Sequence, residues 1–429
     1  MSGSVRKEAP AALPPSGERP SAPAGAAFAV VVLTSINLLN YIDRWAPSAT
    51  KELFKRDLHL TDAQTSLPLT AFVVVYMLTS PVFGTLADRW PRRVIIAGAV
   101  ALWSLATGAG ALATGFLSLL FARALVGVGE AAYATLSPSL LSDFYPPEAR
   151  NRVLTVFYVA IPVGSAIGFA VGGLLGASYG WRVAFLACGL PGLLVAALVL
   201  RIREPGRGTF DADAGAPPLS WGQALRSLAR NPPYVIAVAG YTAVTFASGA
   251  MADWFPAFLA RERGMGIGEA GSLIGTSAVV GGLGGTLAGG FLGDRLRGLT
   301  RQPYFALSAG SMAVATVLAS LALVAESRWA IAALMVSAQF FLWFYNGPVN
   351  AILLNSVSVS LRARAFSLSI LCIHLFGDAV SPPLVGLAAD LTGSLPKAML
   401  AIPVSLVVGT AFWFYGWRRL PETVGDASA

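Results

Sequence analysis

Gly84-Thr85-Leu86-Ala87-Asp88-Arg89-Trp90-Pro91-Arg92-Arg93 closes one long apolar run. Gly290-Phe291-Leu292-Gly293-Asp294-Arg295-Leu296-Arg297 closes another, 206 residues later. Each copy places Asp-Arg four residues after a glycine, at the point where hydrophobic sequence gives way to arginine. A repeat at half the chain length is what two structurally related halves of a transporter leave in a sequence.

Outward from these two blocks the chain is apolar almost throughout. Of 429 residues, 55% are hydrophobic and 12% charged, with a mean hydropathy of +0.66. Soluble domains carry about 25% charged residues, so this composition excludes an ordinary soluble fold. About twelve stretches reach the length of roughly 20 residues that a bilayer crossing needs. They fall near 27–49, 64–86, 94–113, 116–142, 152–176, 182–200, 234–259, 269–291, 304–324, 329–355, 366–389 and 397–416. The expected fold class is an all-α membrane protein, with twelve transmembrane helices in two pseudo-symmetric six-helix bundles.

The expected organisation is a disordered cytoplasmic tail over 1–25 and a first bundle over 26–203. A polar, Pro/Gly-rich cytoplasmic linker follows over 204–230, then a second bundle over 231–420 and a short tail over 421–429. Residues 1–25 lack an apolar core segment and are read as a tail and not as a signal peptide. Within the linker, Trp221 to Arg230 has the pattern of a short amphipathic helix on the membrane surface.

The net charge of +8 suggests nucleic acid only until it is mapped. Twenty of the 30 Lys and Arg fall on one side of an even-span topology, eight on the other, and Arg44 and Arg123 within spans. That asymmetry is the positive-inside signature and puts both termini in the cytoplasm. A plasma (inner) membrane location follows as an expectation, with no nucleic-acid partner. Arg outnumbers Lys 26 to 4 beside abundant Ala and Gly, the coding bias of a GC-rich bacterium. Cys188 and Cys372 both sit in apolar spans and offer no disulfide framework.

The chemistry lies in charges inside the spans. Asn37, Asn40, Tyr41, Asp43 and Arg44 cluster on span one. A charge at the centre of a membrane helix costs about 2.5–3.5 kcal/mol on insertion scales, so such residues face water, a partner or a substrate. Arg123 and Glu130 share one face of span four, about 10 Å apart along the axis, too far to bond each other. Asp43 and Arg44 are expected to meet them across a cavity, although neighbours separated by about 100° cannot both point straight in. Asp43 and Glu130 are the expected proton carriers. Burial and a nearby arginine act oppositely on a carboxyl, so a motion that exchanges partners drives proton uptake and release. Arg44, Arg123 and Tyr41 are the expected substrate contacts on this side. The competing account is an ion-pair network that only sets helix registry.

In the second half, His374 and Asp378 are four apart and share a face of span eleven. Asn346-Gly347-Pro348 interrupts span ten after Trp343-Phe344-Tyr345, as a hinge or an aromatic wall. Asn346, His374 and Asp378 complete the expected substrate set. Asp88, Arg89, Arg92, Asp143, Arg150, Arg152, Asp294 and Arg295 form the expected cytoplasmic gate, a latch holding the outward-open state. Asp253, near Arg261 at the outer end of span seven, reads as a solvated ion pair. Gly164, Gly168, Gly172, Gly176 and Gly180 ladder one face of span five, and Gly281, Gly285, Gly289 and Gly293 ladder span eight. Either ladder serves static packing, or the two spans meet at a sliding interface between bundles.

Gly176-Ala177-Ser178-Tyr179-Gly180 and Gly127-Val128-Gly129-Glu130-Ala131-Ala132 imitate a nucleophile elbow and a dinucleotide loop, but both lie in apolar spans without the strand each requires. No zinc-protease or Walker motif and no clustered metal ligands occur. Neither an enzyme nor a cofactor or metal is expected.

The Gly84…Asp88-Arg89…Arg92-Arg93 block and its copy at Gly290…Asp294-Arg295, set in six-plus-six spans, resemble the major facilitator superfamily. The sequence Asn40-Tyr41-Ile42-Asp43-Arg44 narrows the resemblance, with Arg123-Ala124-Leu125-Val126-Gly127-Val128-Gly129-Glu130-Ala131 and His374-Leu375-Phe376-Gly377-Asp378-Ala379-Val380-Ser381-Pro382. Together they resemble the Spinster branch, over about Ala27 to Leu420. The resemblance implies an alternating-access transporter with a lysophospholipid- or sphingolipid-like amphiphile as substrate; a monomer is expected, since nothing in the sequence requires more. Span five departs from the antiporter pattern, since Pro162 follows Ile161 and Gly172-Gly173 comes ten residues later. Antiport is therefore left open. A proton symporter of a small organic anion such as a sugar acid, and a non-transporting sensor on the same fold, are the rival readings.

Overall fold

The computed structural model describes residues 25–87, 89–206, 221–296, 299–358 and 361–420. Asp88, the bulk of the linker, both tails and the side chain of Asp294 lie outside them. Twelve helices among the described residues are long and apolar enough to cross a membrane. Spans one to six are Ala26–Ala49, Asp62–Leu86, Arg92–Ala111, Phe116–Phe144, Arg152–Tyr179 and Trp181–Val199. Spans seven to twelve are Pro232–Glu262, Ile267–Gly293, Pro303–Val324, Arg328–Leu353, Arg364–Thr392 and Leu395–Arg419. The largest departures from the sequence-based ends, at Tyr179, Glu262, Thr392 and Arg419, are three residues.

Local chemistry sets these ends. Span two opens on a capping box in which Thr61 Oγ1 accepts from Gln64 N and Gln64 Oε1 accepts from Thr61 N, satisfying two otherwise orphaned donors. Gly180, at φ +86°, makes the turn from span five to span six, a conformation that costs a side-chain-bearing residue. Span ten is broken by a single 3-10 turn at Trp343–Tyr345, and the α-helix resumes at Asn346. The interruption thus lies on the aromatic run and not on Asn346-Gly347-Pro348. Span eleven contains a π-turn at His374–Asp378, a distortion often found at functional sites.

One buried cluster runs from Ala26 to Ile202 and another mainly from Leu228 to Trp413, so each half packs around its own core. The glycine ladders serve packing within a half. A Cβ on Gly164, Gly168 or Gly172 would meet Leu38, Ile42 or Ala46 of span one within 2.9 Å, and one on Gly281, Gly285 or Gly289 would meet span ten. Spans five and eight do touch, but through other small residues: Gly275 lies against Ala166, Gly271 against Phe169, and Gly173 against Ile267 and Gly268. Spans two and eleven clamp similarly, with Gly386 against Asp62 and Ala63, and Thr70 Oγ1 donating to the Ala379 carbonyl at 2.7 Å.

All these contacts between halves lie toward the end at which span two begins, which is poor in arginine. Toward the opposite, arginine-rich end, Leu78 and Val82 of span two, Val156 and Val159 of span five and Leu287 and Phe291 of span eight are exposed. Spans two, five and eight thus meet the other half at one end and carry exposed apolar side chains toward the other.

Gly271→Leu tests this geometry. Its Cβ would stand 2.4 Å from the Phe169 carbonyl oxygen, so the variant is expected to disfavour the clamped arrangement by about 1–3 kcal/mol. Crosslinking between cysteines introduced at Thr70 and Ala379, across the companion contact of spans two and eleven, should fall. Unchanged crosslinking would show that the clamp tolerates separation here.

Candidate functional site: a buried crossed ion-pair cluster

Span one approaches span four closely enough for both of its charges to find partners there. Arg44 Nη2 donates to Glu130 Oε2 at 2.6 Å and its Nε to the same oxygen at 3.2 Å. Arg123 Nη1 lies 3.8 Å from Asp43 Oδ1, and Thr107 Oγ1 of span three donates to Asp43 Oδ2 at 2.6 Å. The pairs are crossed: the upstream acid of span one takes the upstream base of span four. The angle between adjacent helix positions is accommodated because Asp43 leans toward span three while Arg44 turns to Glu130.

Aromatic rings complete the cage. The Arg44 guanidinium sits 4.7 Å from the Tyr41 ring centroid, 4.9 Å from Phe72 and 5.7 Å from Tyr76, and Arg123 sits 5.4 Å from Phe72. Such faces attract a cation, more strongly when it is desolvated. Asp43, Arg123 and Glu130 are buried, whereas the Arg44 side chain is 17% exposed. Among the described residues, Asp43 Oδ1, Glu130 Oε1 and both Arg123 Nη atoms have no hydrogen-bond partner. Arg123 and Arg44 border a cavity of about 20 Å³ whose wall also includes Ser48, Lys51 and Asp253. Its size is that of about one water, far narrower than the mid-depth crevice expected from the sequence.

His374 and Asp378 form their own pair, with Nδ1 3.0 Å from both carboxylate oxygens and both side chains partly exposed. Asp378 acts electrostatically on Tyr241 and Tyr345, whose rings lie 5.2 Å apart edge to face. Asn346 accepts from Asn350 Nδ2 through its carbonyl and side-chain oxygens. Among the described residues, no hydrogen bond or ion pair joins these second-half groups to Asp43, Arg44, Arg123 or Glu130. Tyr41 is brought into the first cluster; Asn346, His374 and Asp378 are not.

Asp253 corrects the sequence reading. It is buried, and its partner is Lys51, not Arg261. Lys51, on the short helix Lys51–Asp57, ion-pairs with Asp253 and donates to Ser66 Oγ at 2.9 Å; Ser66 and Ser48 hydroxyls donate to the same carboxylate. The Lys51 ammonium stands 3.9 Å from the Trp254 ring centroid. Burial pushes this ammonium below its ordinary pKa range, and Asp253 pulls it back. Arg261 instead bonds Asp62 twice, at 2.6 and 2.9 Å, and Glu52 at 2.6 Å. Asp390 of span eleven accepts from the Asp62 and Ala63 amides at 2.9 Å each, a carboxylate on the positive end of span two. This polar seam ties the halves at the arginine-poor end. The sequence signal was slender: Lys51 is one of four lysines in the chain, two residues beyond a span.

The expected gate residues gather at the arginine-rich end, but their observed bonds lie within the first half. Arg92 Nη2 lies 2.6 Å from Asp143 Oδ2, Nη1 donates to Ser139 Oγ, and Nε lies 3.6 Å from Glu204. Arg150 Nε donates to the Ser142 and Tyr145 carbonyls at the C-terminus of span four, where a cation suits the helix dipole. Arg89 and Arg152 are exposed, and Arg295 stacks 4.3 Å from Phe291. Asp88 and the side chain of Asp294 are outside the described residues.

The comparisons with known proteins agree with this architecture. Residues 33–382 match the model of the Major Facilitator Superfamily. Protein spinster homolog 1 of Rattus norvegicus is 37% identical over 399 residues, covering 87% of this chain and 75% of the relative. Its Homo sapiens counterpart is 37% identical over 389 residues, covering 86% and 74%. Among solved structures, a bacterial homolog to the human lysosomal transporter Spinster, in an inward-facing, unoccupied conformation, superposes with a TM-score of 0.82 at 24% identity, covering 94% of this chain and 98% of that one. A D-xylose-proton symporter superposes at 0.71 with 18% identity, covering 94% and 99%. These matches, on a fold of twelve spans in two halves, place the chain in the major facilitator superfamily as a member of its Spinster branch.

Proposed function

We propose that this transporter works by alternating access, is driven by protons, and moves an amphiphile with a charged or zwitterionic head. The observation that carries the reading is the crossed cluster of Asp43, Arg44, Arg123 and Glu130, buried yet with unmatched acceptors on both acids and unmatched donors on Arg123. A buried polar atom without a partner costs about 1–3 kcal/mol, more when charged. A proton on either carboxylate, or an anionic head at Arg123, relieves that cost. Protonation of Glu130 releases Arg44, whose partial exposure makes it the first group able to reach a substrate.

The exposed apolar flanks of spans two, five and eight support an amphiphilic cargo, since a tail lies there without entering water. By the positive-inside rule the arginine-rich end is cytoplasmic, which puts both termini inside and makes this conformer inward-open, in a bacterial plasma membrane. The Asp88/Arg89/Asp143 and Asp294/Arg295 latch then belongs to the opposite conformer, when the arginine-rich ends meet. The division into bundles at 26–203 and 231–420, with a cytoplasmic linker between, and a monomeric state complete the proposal. His374, Asp378 and Asn346 are proposed as the second-half wall of the substrate path.

One observation favours a second reading, a proton symporter of a small organic anion such as a sugar acid: the unmatched Arg123 donors would pair with a compact carboxylate as readily as with a lipid head. Purified protein in proteoliposomes, offered labelled lysophospholipid and labelled sugar acid with a proton-sensitive dye, separates the two. Lysophospholipid flux that follows the pH gradient is the expected result. Sugar-acid flux alone would transfer the function to the second reading, and no flux of either under any gradient would sink both.

A further inference from the structure

The short helix Trp221–Ala229 lies beside the start of span seven and packs Ala224 and Leu228 inward. Its remaining apolar residues are left uncovered: Trp221 is 63% and Leu225 53% exposed. On the helix wheel these two continue the buried stripe at one edge, while Arg226 and Arg230 follow about 100° and about 140° beyond Leu225 on the polar side. Both arginines border a cleft of about 1030 Å³, closed on its other side by Asn231, Asn355 and Ser356. Neither guanidinium is engaged by a carboxylate among the described residues. Asn231 Nδ2 donates to the Ser356 carbonyl and ties the cleft wall of span seven to the end of span ten. Arg364, at the start of span eleven, stands 5.5 Å from the Trp221 ring centroid.

We propose that this cleft binds the phosphate head of an anionic phospholipid of the surrounding leaflet, with Arg226 and Arg230 on the phosphate and Trp221 and Leu225 among the acyl chains. The charges of the cleft are complementary to a phosphate. The apolar edge beside them tells a lipid from a free anion, since inorganic phosphate gains nothing from Trp221 or Leu225. A helix with an apolar edge and flanking arginines at the end of the spans lies at the level of the head groups, where Trp is favoured and each basic residue adds to the attraction of an acidic surface. The site stands apart from the crossed ion pairs and does not depend on what they transport.

The test uses full-length, delipidated protein in detergent, titrated with phosphatidylglycerol, with phosphatidylcholine, and with inorganic phosphate, bound lipid being counted by native mass spectrometry. Phosphatidylglycerol is expected to bind and phosphatidylcholine to bind more weakly. R226Q/R230Q should weaken phosphatidylglycerol about 30-fold, about fivefold per arginine, without shifting the thermal midpoint of these exposed positions. Trp221→Ser should weaken the lipid and leave any phosphate binding unchanged. Equal lipid affinity in wild type and R226Q/R230Q, or displacement of the lipid by inorganic phosphate at matching concentration, would overturn the proposal.

Discussion

Glu130→Gln is expected to reduce gradient-driven accumulation to background while the protein still folds and inserts. The amide keeps the shape of the side chain and one acceptor for Arg44 Nη2, which now sits 2.6 Å from Glu130 Oε2, so the helix packing survives. What is lost is a group able to gain and release a proton beside a guanidinium. Breaking a buried pair by removing one charge costs about 3–5 kcal/mol. The cost here is lower, because Arg44 is partly exposed and stays over three aromatic rings. Asp43→Asn should behave alike, since Thr107 still has an acceptor but Arg123 loses the carboxylate 3.8 Å from its Nη1. The measurement is uptake against a substrate gradient at several imposed pH differences, with counterflow as a control for folding. If both variants accumulate substrate like the wild type, with the same response to the pH difference, the cluster is a registry device and the coupling lies elsewhere.

Lys51→Ala should shift the molecule toward the conformer open at the arginine-poor end. Removing the ammonium leaves Asp253 buried, with only the Ser48 and Ser66 hydroxyls for compensation. The loss of about 3–5 kcal/mol on breaking such a pair corresponds to on the order of 10²–10⁴-fold in the ratio of conformers. It falls only on the closed state, because spans one and seven belong to different halves and the pair cannot persist when they part. Lys51→Met combined with Asp253→Leu should return the ratio close to wild type, since apolar replacement of a buried pair is often neutral. Reaction of a membrane-impermeant thiol reagent with a cysteine placed at Thr65, in a background lacking Cys188 and Cys372, reports the opening. Equal labelling in wild type and Lys51→Ala would mean that Arg261 with Glu52 and Asp62 closes this end without help from Lys51.

The spans were legible because the bilayer demands about twenty apolar residues at each crossing, and the ends matched to within three residues. The charges on spans one and four were legible because ionised groups in apolar helices are costly and therefore conspicuous. Their pairing was only half legible. Helix periodicity put Arg123 and Glu130 on one face, yet which acid meets which base depended on how span one sits against span four, while its close approach at Gly164, Gly168 and Gly172 is to span five. The same ladder illustrates the limit: its spacing announced a tight contact but not the partner, and span one occupies it, not span eight. Asp253 was misjudged for a related reason. Burial is a property of what folds over a residue, and Ser48, Lys51 and Ser66 converge there from span one, the short helix after it and span two.

Sequence by itself determined the twelve crossings, the two related halves and the identity of the charged residues, because membrane solvation acts on each segment locally. Tertiary structure alone decided that Arg44 holds Glu130 while Asp43 holds Thr107 and Arg123, and that a Lys51–Asp253 seam joins the halves at one end. Those outcomes rest on distances of a few ångströms between segments up to some 200 residues apart, and no local pattern encodes them.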